Sequence, residues 1–171
     1  MAINWVDRAE NANGRVVLTQ QELKIPGIRM FGKHHTQKAI PALQKHYHEN
    51  CFEFTFLSKG SIRFSVDEKC YNLSGGDLFI VNPNEVHDTD AHPMTLHSMF
   101  WFQLDVSDPK RFLYLEESVA SGLIDRLNAL ELRVVQLDET QAHAILSQVF
   151  LNFCSPSQHQ RDMGAFLLVY F

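Results

Sequence analysis

The 171-residue chain carries 15 Lys and Arg against 20 Asp and Glu, a formal charge of -5, and a surface of that sign does not hold nucleic acid by neutralising phosphates. Hydrophobic residues make up 45% and charged residues 20%, which excludes a disordered chain and fits one domain, or one domain with a helical appendage, built on a real core. Three cysteines without a CxxC pair read as reduced thiols rather than a disulfide framework. The absence of a leader pattern in "MAINWVDRAENANGRVV" and of any long apolar run gives the expectation of a cytoplasmic protein with no membrane partner.

In chain order, "RVVLT" (15–19) and "GIRMF" (27–31) are short β-rich runs bounded by turn residues and are read as strands. "KHHTQK" (33–38) is read as a solvated loop. "FEFTFLS" (52–58) alternates, with Phe52, Phe54 and Phe56 on one face and Glu53, Thr55 and Leu57 on the other. "KGS" is expected to turn the chain into "SIRFSV" (61–66), and "DEK" to turn it again into "CYNL". "DLFIV" (77–81) is a buried strand. "TLHSMFWFQLDV" (95–106) puts His97, Met99, Trp101 and Gln103 on one face and Leu96, Phe100, Phe102 and Leu104 on the other.

The period then changes from two to that of a helix. Val119, Leu123, Leu127 and Leu130 form a stripe at spacings of three and four. Asp138 and Gln141 stand in capping-box spacing ahead of Ile145, Leu146, Val149, Phe150 and Phe153. Ser155, Pro156 and Gln158 repeat the signal before a run that reaches Phe171. The expected fold is mainly β with C-terminal helices, divided into a barrel at 1–106 and a helical dimerisation segment at 107–171. The stripe of Ile145, Leu146, Val149, Phe150 and Phe153 is wide enough to pack on the barrel and to form a homodimer seam. An apolar helix reaching Phe171 without a C-cap reads as part of a longer protein.

Chemistry concentrates between residues 46 and 103. His46 and His48, one residue apart on extended chain, project to one face, with Glu53 on the next strand and His87 after "GGDLFIVNPNEV". Three imidazoles and a carboxylate suit Zn, Fe, Ni, Mn or Cu; the same groups equally well hydrogen-bond one another around a pocket. Trp101 and Gln103 fit a polar ligand by stacking and hydrogen bonding, or pack in the core. Arg63, with Ser61 and Ser65 on its face, reaches a ligand or faces solvent. Cys51 reads as a small buried residue, and Asp88 and Asp90 as a polar loop or as groups that orient His87. No GxSxG, P-loop or GxGxxG is present, so hydrolase, kinase and dinucleotide chemistry lack support.

The HxHx4Ex6G of "HYHENCFEFTFLSKG" and the later "GDLFIVNPNEVH" resemble the two cupin motifs. The proline of the second stands one place later than in the enzyme form, and Asn84 occupies a position where glycine is common. That wording is more similar to the amino-terminal sensing domain of AraC-family transcription regulators, whose order of strands and then helices also matches. The resemblance implies a cupin-like (double-stranded β-helix) barrel followed by two or three helices. It implies a small-molecule effector, a sugar or related metabolite, held inside the barrel without a required cofactor and with a divalent transition metal optional; with the strand faces read above, the expected ligand-binding residues are His46, His48, Glu53, Arg63, His87, Trp101 and Gln103. It implies dimerisation through the helices, and DNA contact only through a separate domain with two helix-turn-helix motifs. Two other readings stand beside it: a metal-dependent cupin enzyme, isomerase or dioxygenase, liganded by His46, His48, Glu53 and His87, and a cupin-type storage or scaffold module.

Overall fold

A computed structural model describes residues 3–4, 11 and 14–171; the reading of the first residues as leaderless, and the start of the 1–106 span, lie outside the described residues. Strands are β1 (Ile3–Asn4), β2 (Arg15–Thr19), β3 (Ile28–Thr36), β4 (His46–Tyr47), β5 (Cys51–Val66), β6 (Lys69–Ser74), β7 (Asp77–Val81), β8 (His87–Asp88), β9 (His97–Asp105) and β10 (Val134–Gln136). Helices are α1 (Gln20–Leu23), α2 (Glu117–Asn128), α3 (Glu139–Phe153) and α4 (Gln158–Tyr170), with one 3-10 turn at Phe112–Tyr114. Among the described residues no helix is long and apolar enough to cross a membrane.

The barrel is organised around β5. One path of hydrogen-bonded neighbours runs β1-β4-β8-β5-β9-β3-β2, while β6 and β7 join β5 off that path. Cys51 to Gly60 pairs with β9, Glu53 to Phe56 with β7, Ser61 to Val66 with β6, and Ser65 and Val66 with β8. The turn expected at "KGS" is therefore not there. The chain runs straight through it as one strand with a register shift between Leu57 and Lys59, the mark of a bulge that bends a strand from one face of a barrel to the other. Gly60 permits the bend: its φ is +90°, and a Cβ there would stand 2.1 Å from the Leu96 carbonyl oxygen. The second turn forms as expected, with Asp67 and Glu68 both at positive φ, as a two-residue hairpin requires.

"KHHT" is also not a loop. β3 continues through it to Thr36, paired along its length with β9, and buries His34. The backbone of β9 needs a partner there, and an extended chain supplies it whatever the side-chain polarity.

Alternation separates two cores. Phe31, Phe52, Phe54, Phe56, Phe100 and Phe102 face outward and meet Leu146, Val149 and Phe153 of α3, together with Ala165 and Leu168 of α4. Val17, Met30, Leu57, Phe64, Phe79, Met99 and Trp101 face the barrel interior. Burial of each large side chain stabilises by about 1.5–3 kcal/mol, so the outer phenylalanine face is what fixes the helices on the sheet.

The helices begin and face as their local chemistry dictates, with three departures from expectation. Asp138 caps α3 by accepting from the Gln141 N–H at 2.8 Å, as its spacing suggested. α4 begins at Gln158, later than Ser155 and Pro156 indicated; the Ser155 hydroxyl accepts from the Ser157 N–H and donates to Gln160. In α2 the inward face is Ala120, Leu123, Ile124 and Leu127, while Val119 is 56% exposed. The third departure concerns the expected dimer seam: Leu146, Val149 and Phe153 are buried within the chain, and Ile145 and Phe150 pack against the same core. The barrel covers Leu146, Val149 and Phe153 and leaves Ile145 and Phe150 half-buried. An exposed apolar row lies instead on α4, at Met163, Phe166, Val169 and Tyr170.

Candidate ligand and metal site inside the barrel

Three short pieces of backbone converge on one end of the interior. β4 and β8 pair His46 directly with His87, and β8 in turn pairs His87 with Val66. β5 sets Glu53 between Gln103 of β9 and Val81 of β7. All four predicted metal-site residues and Gln103 are thus brought together and buried.

The imidazoles of His46, His48 and His87 place ligand nitrogens within 4.8 Å of one another. Their tautomers follow from the backbone. His46 Nδ1 lies 2.6 Å from the Gln44 carbonyl and His87 Nδ1 3.1 Å from the Glu85 carbonyl; a carbonyl only accepts, so both Nδ1 atoms carry a proton and both Nε2 atoms are the ones turned to the cluster. His87 Nε2 is buried with no hydrogen-bond partner. A buried ring nitrogen without a partner calls for a water or an ion, and the cluster of three imidazoles fits a divalent transition metal.

Glu53 is less free than its place in the sequence suggested. Its Oε2 lies 2.9 Å from His48 Nε2 and accepts from Gln103 Nε2 at 3.0 Å, leaving Oε1 to face His87 Nε2 at 3.6 Å, beyond hydrogen-bond length. Burial pushes the Glu53 carboxyl up, but the imidazoles of His48 and then His87 outweigh it and hold the group well below the usual carboxylate range. Burial, helped by the charge of His87, pushes His46 down to about 4.

A cavity of about 90 Å³ extends from this cluster through the barrel. His46, Glu53, Thr55, Trp101, Met99, His34 and Arg15 are among its lining; the register sets Glu53 beside Gln103, Thr55 beside Trp101, and His34 beside both Met99 and Arg15. Trp101 leans over Gly32, where a Cβ would come within 2.2 Å of its ring, and the Arg15 guanidinium lies 5.0 Å from the ring centroid.

This cavity inside a barrel backed by helices is what a small-molecule sensor requires, and the family model of the AraC-like ligand binding domain matches residues 32–167. The chain belongs to the AraC-like ligand-binding domains. No curated protein matches the sequence. Solved structures similar to this AraC-like domain include a cupin protein from Bacteroides fragilis, at 18% identity over 66% of this chain and 89% of that one with a TM-score of 0.47. A predicted oxalate decarboxylase from Thermotoga maritima matches at 19% identity over 57% of this chain and 90% of that one, TM-score 0.43. An oxalate decarboxylase with Mn(II) centres from Bacillus subtilis matches at 17% identity over 72% of this chain and 38% of that one, TM-score 0.41. At such scores the likeness carries no weight for chemistry. The fold of the AraC-like domain is the cupin-like barrel with C-terminal helices that its motifs indicated.

The remaining predicted residues of the AraC-like domain divide clearly. Trp101 and Gln103 face the interior. Arg63 does not join them: it is on the barrel's exterior, 2.9 Å from Asp90 and 40% exposed, because its phase in β5 after the bulge points it outward. Asp88 and Asp90 do not orient His87, whose Nδ1 is held by the Glu85 carbonyl; Asp88 accepts from the Asp90 N–H. Cys51 is buried and its thiol is pushed up to about 11, chiefly by burial. Two cavity residues, Arg15 and His34, were missed. The signal was present in the alternation of "RVVLT" and "GIRMFGKHHT", where Arg15 shares a face with Val17, and His34 with Met30 and Gly32.

Proposed function

We propose that this chain is the effector-sensing and dimerisation domain of an AraC-type transcription regulator, binding a small polar metabolite in the barrel. The observation that carries the reading is the interior cavity whose charged and polar lining sits directly behind the strands that hold the helices. Glu53, Thr55, Met99 and Trp101 line the cavity, while Phe54, Phe56, Phe100 and Phe102 alternate with them on β5 and β9 and pack on α3 and α4. A ligand that favours one arrangement of these strands shifts the population of helix positions, and DNA contact falls to a separate domain that the helices present. The sugar suggested by Trp101 has less support than a smaller molecule, because the indole leans over Gly32 beside Arg15 and the space is only about 90 Å³.

The α4 row of Met163, Phe166, Val169 and Tyr170 is our choice for the homodimer contact, in place of α3. The deciding experiment is a thermal-shift screen of small polar metabolites on this chain, with and without divalent metals. A ligand bound only by the native state raises the midpoint as its concentration rises. Absence of any stabilising small molecule overturns the reading.

A metal-dependent enzyme, isomerase or dioxygenase, is the second reading, favoured by the partnerless Nε2 of His87 and the three clustered nitrogens. His46, His48 and His87 would hold the ion, which would supply a Lewis acid beside the cavity; the proton that His48 Nε2 gives to Glu53 would have to leave first. Near-stoichiometric metal in the purified protein, lost in His48→Ala together with a measurable turnover, supports it; metal-free protein that still binds an effector excludes it.

A further inference from the structure

The cavity is polarised. At one end the carboxylate of Glu53 is held by His48 and Gln103; toward the other, the register sets His34 between Met99 and Arg15, with Trp101 at the level between, and these four line the cavity. The protons of the second group can be placed. His97 Nδ1 lies 2.6 Å from the Thr95 carbonyl, so it carries a proton and leaves His97 Nε2 as an acceptor. His34 Nδ1 lies 3.1 Å from that Nε2 and must donate to it. The relay from Thr95 through His97 to His34 thus fixes His34 with a bare Nε2, buried and next to a guanidinium.

A fixed acceptor beside a planar cationic donor matches a specific chemical pattern. The guanidinium fork suits a carboxylate, and its five N–H donors serve more than one partner at once. The bare imidazole nitrogen accepts from a hydroxyl on the adjacent carbon. Glu53, across the cavity, repels an anion and sets the ligand's direction. Volume narrows the choice further: the space of about 90 Å³ is smaller than the roughly 150 Å³ that holds benzene, so only a very small molecule fits.

We infer that the effector is a short 2-hydroxy acid, its carboxylate on Arg15, its hydroxyl donating to His34 Nε2, and its carbon face against Trp101 and Met99. This rests on the reading of the barrel as an effector site and names the class of molecule that site takes.

The test uses the whole chain, with glycolate and both lactate enantiomers as probes, and propionate and propane-1,2-diol as analogues lacking hydroxyl or carboxylate. Calorimetry is expected to show lactate or glycolate binding at least tenfold tighter than either analogue. Arg15→Gln is expected to lose that tenfold preference over the diol, and Arg15→Lys to restore part of it. Nitrogen NMR of the histidine rings gives a readout that a structural role would not move: the hydroxy acid shifts the His34 Nε2 resonance, and propionate does not. An adequate fold for each variant is checked by its unliganded melting midpoint. If neutral polar molecules bind as tightly as the acids, or Arg15→Gln leaves the preference intact, the hydroxy-acid assignment fails while the effector reading stands. If none of these probes binds but another class from the wider screen does, the assignment fails in the same way; if nothing binds, both fail.

Discussion

Gly32 is the position where the least chemistry should do the most to the cavity wall. Its backbone is ordinary strand, so Gly32→Ala should by propensity alone stabilise by about 0.5–1 kcal/mol. The new Cβ, however, would stand 2.2 Å from Trp101 Cζ2 and 2.4 Å from Cε2 and Cη2, where carbon atoms pack at about 3.5–4.0 Å. The indole must retreat by more than about 1 Å into a space bounded by neighbours with 0–7% exposure such as Leu57, Phe79 and Met99. Overpacking of this kind costs about 1–3 kcal/mol, so the net expectation is a loss of about 1–2 kcal/mol. With a urea slope of about 2 kcal/mol/M, the unfolding midpoint should fall by about 0.5–1 M. Trp101→Leu removes the obstacle: in the Gly32→Ala background it should cost about 1–2 kcal/mol less than alone, a coupling well above the scatter of independent sites. An unchanged midpoint for Gly32→Ala, or additivity of the two changes within about 0.5 kcal/mol, would refute the packing argument.

Leu146→Ala should cost about 2–5 kcal/mol by opening a cavity in the core without altering oligomeric state, whereas Phe166→Glu on the exposed face of α4 should shift light-scattering mass toward monomer and remove the dependence of the melting midpoint on protein concentration. Burial, with the charges of His97 and Arg15, pushes His34 down to about 4 from an ordinary value of 6.5. The native state therefore keeps it neutral while the unfolded chain protonates it; this contribution is complete above about pH 6.5 and is lost as pH falls toward 4. The stability difference between the wild type and His34→Gln, followed by urea unfolding, should change across that window and be flat above pH 7. Arg133 holds Glu85 by two hydrogen bonds and also donates to the Ile80 carbonyl, tying the loop before His87 to the segment that pairs β10 with β7. Arg133→Met should cost about 1–3 kcal/mol and raise hydrogen exchange in residues 82–87 more than in α3; equal exchange in both would contradict that link.

The two periodicities in the sequence were sufficient for the architecture. Alternation in "FEFTFLS" and "TLHSMFWFQLDV" already assigned Phe52, Phe54, Phe56, Phe100 and Phe102 to one face and Glu53, Trp101 and Gln103 to the other, since side chains on a strand have no other choice. The HxH, Glu and His87 spacing likewise brought out the buried cluster. Local patterning did not reach features fixed by distant partners. Whether "KGS" turns or bulges depends on the Leu96–His97 backbone lying against Gly60, and whether "KHHT" is loop or strand depends on β9 needing a neighbour. An apolar stripe on α3 states that something must cover it, and only the tertiary structure decided that the barrel does so. The proton positions on His34, His46 and His87 were also invisible in sequence. They are set by the carbonyls of Thr95, Gln44 and Glu85, whose direction toward each ring exists only once the chain has closed around the cavity.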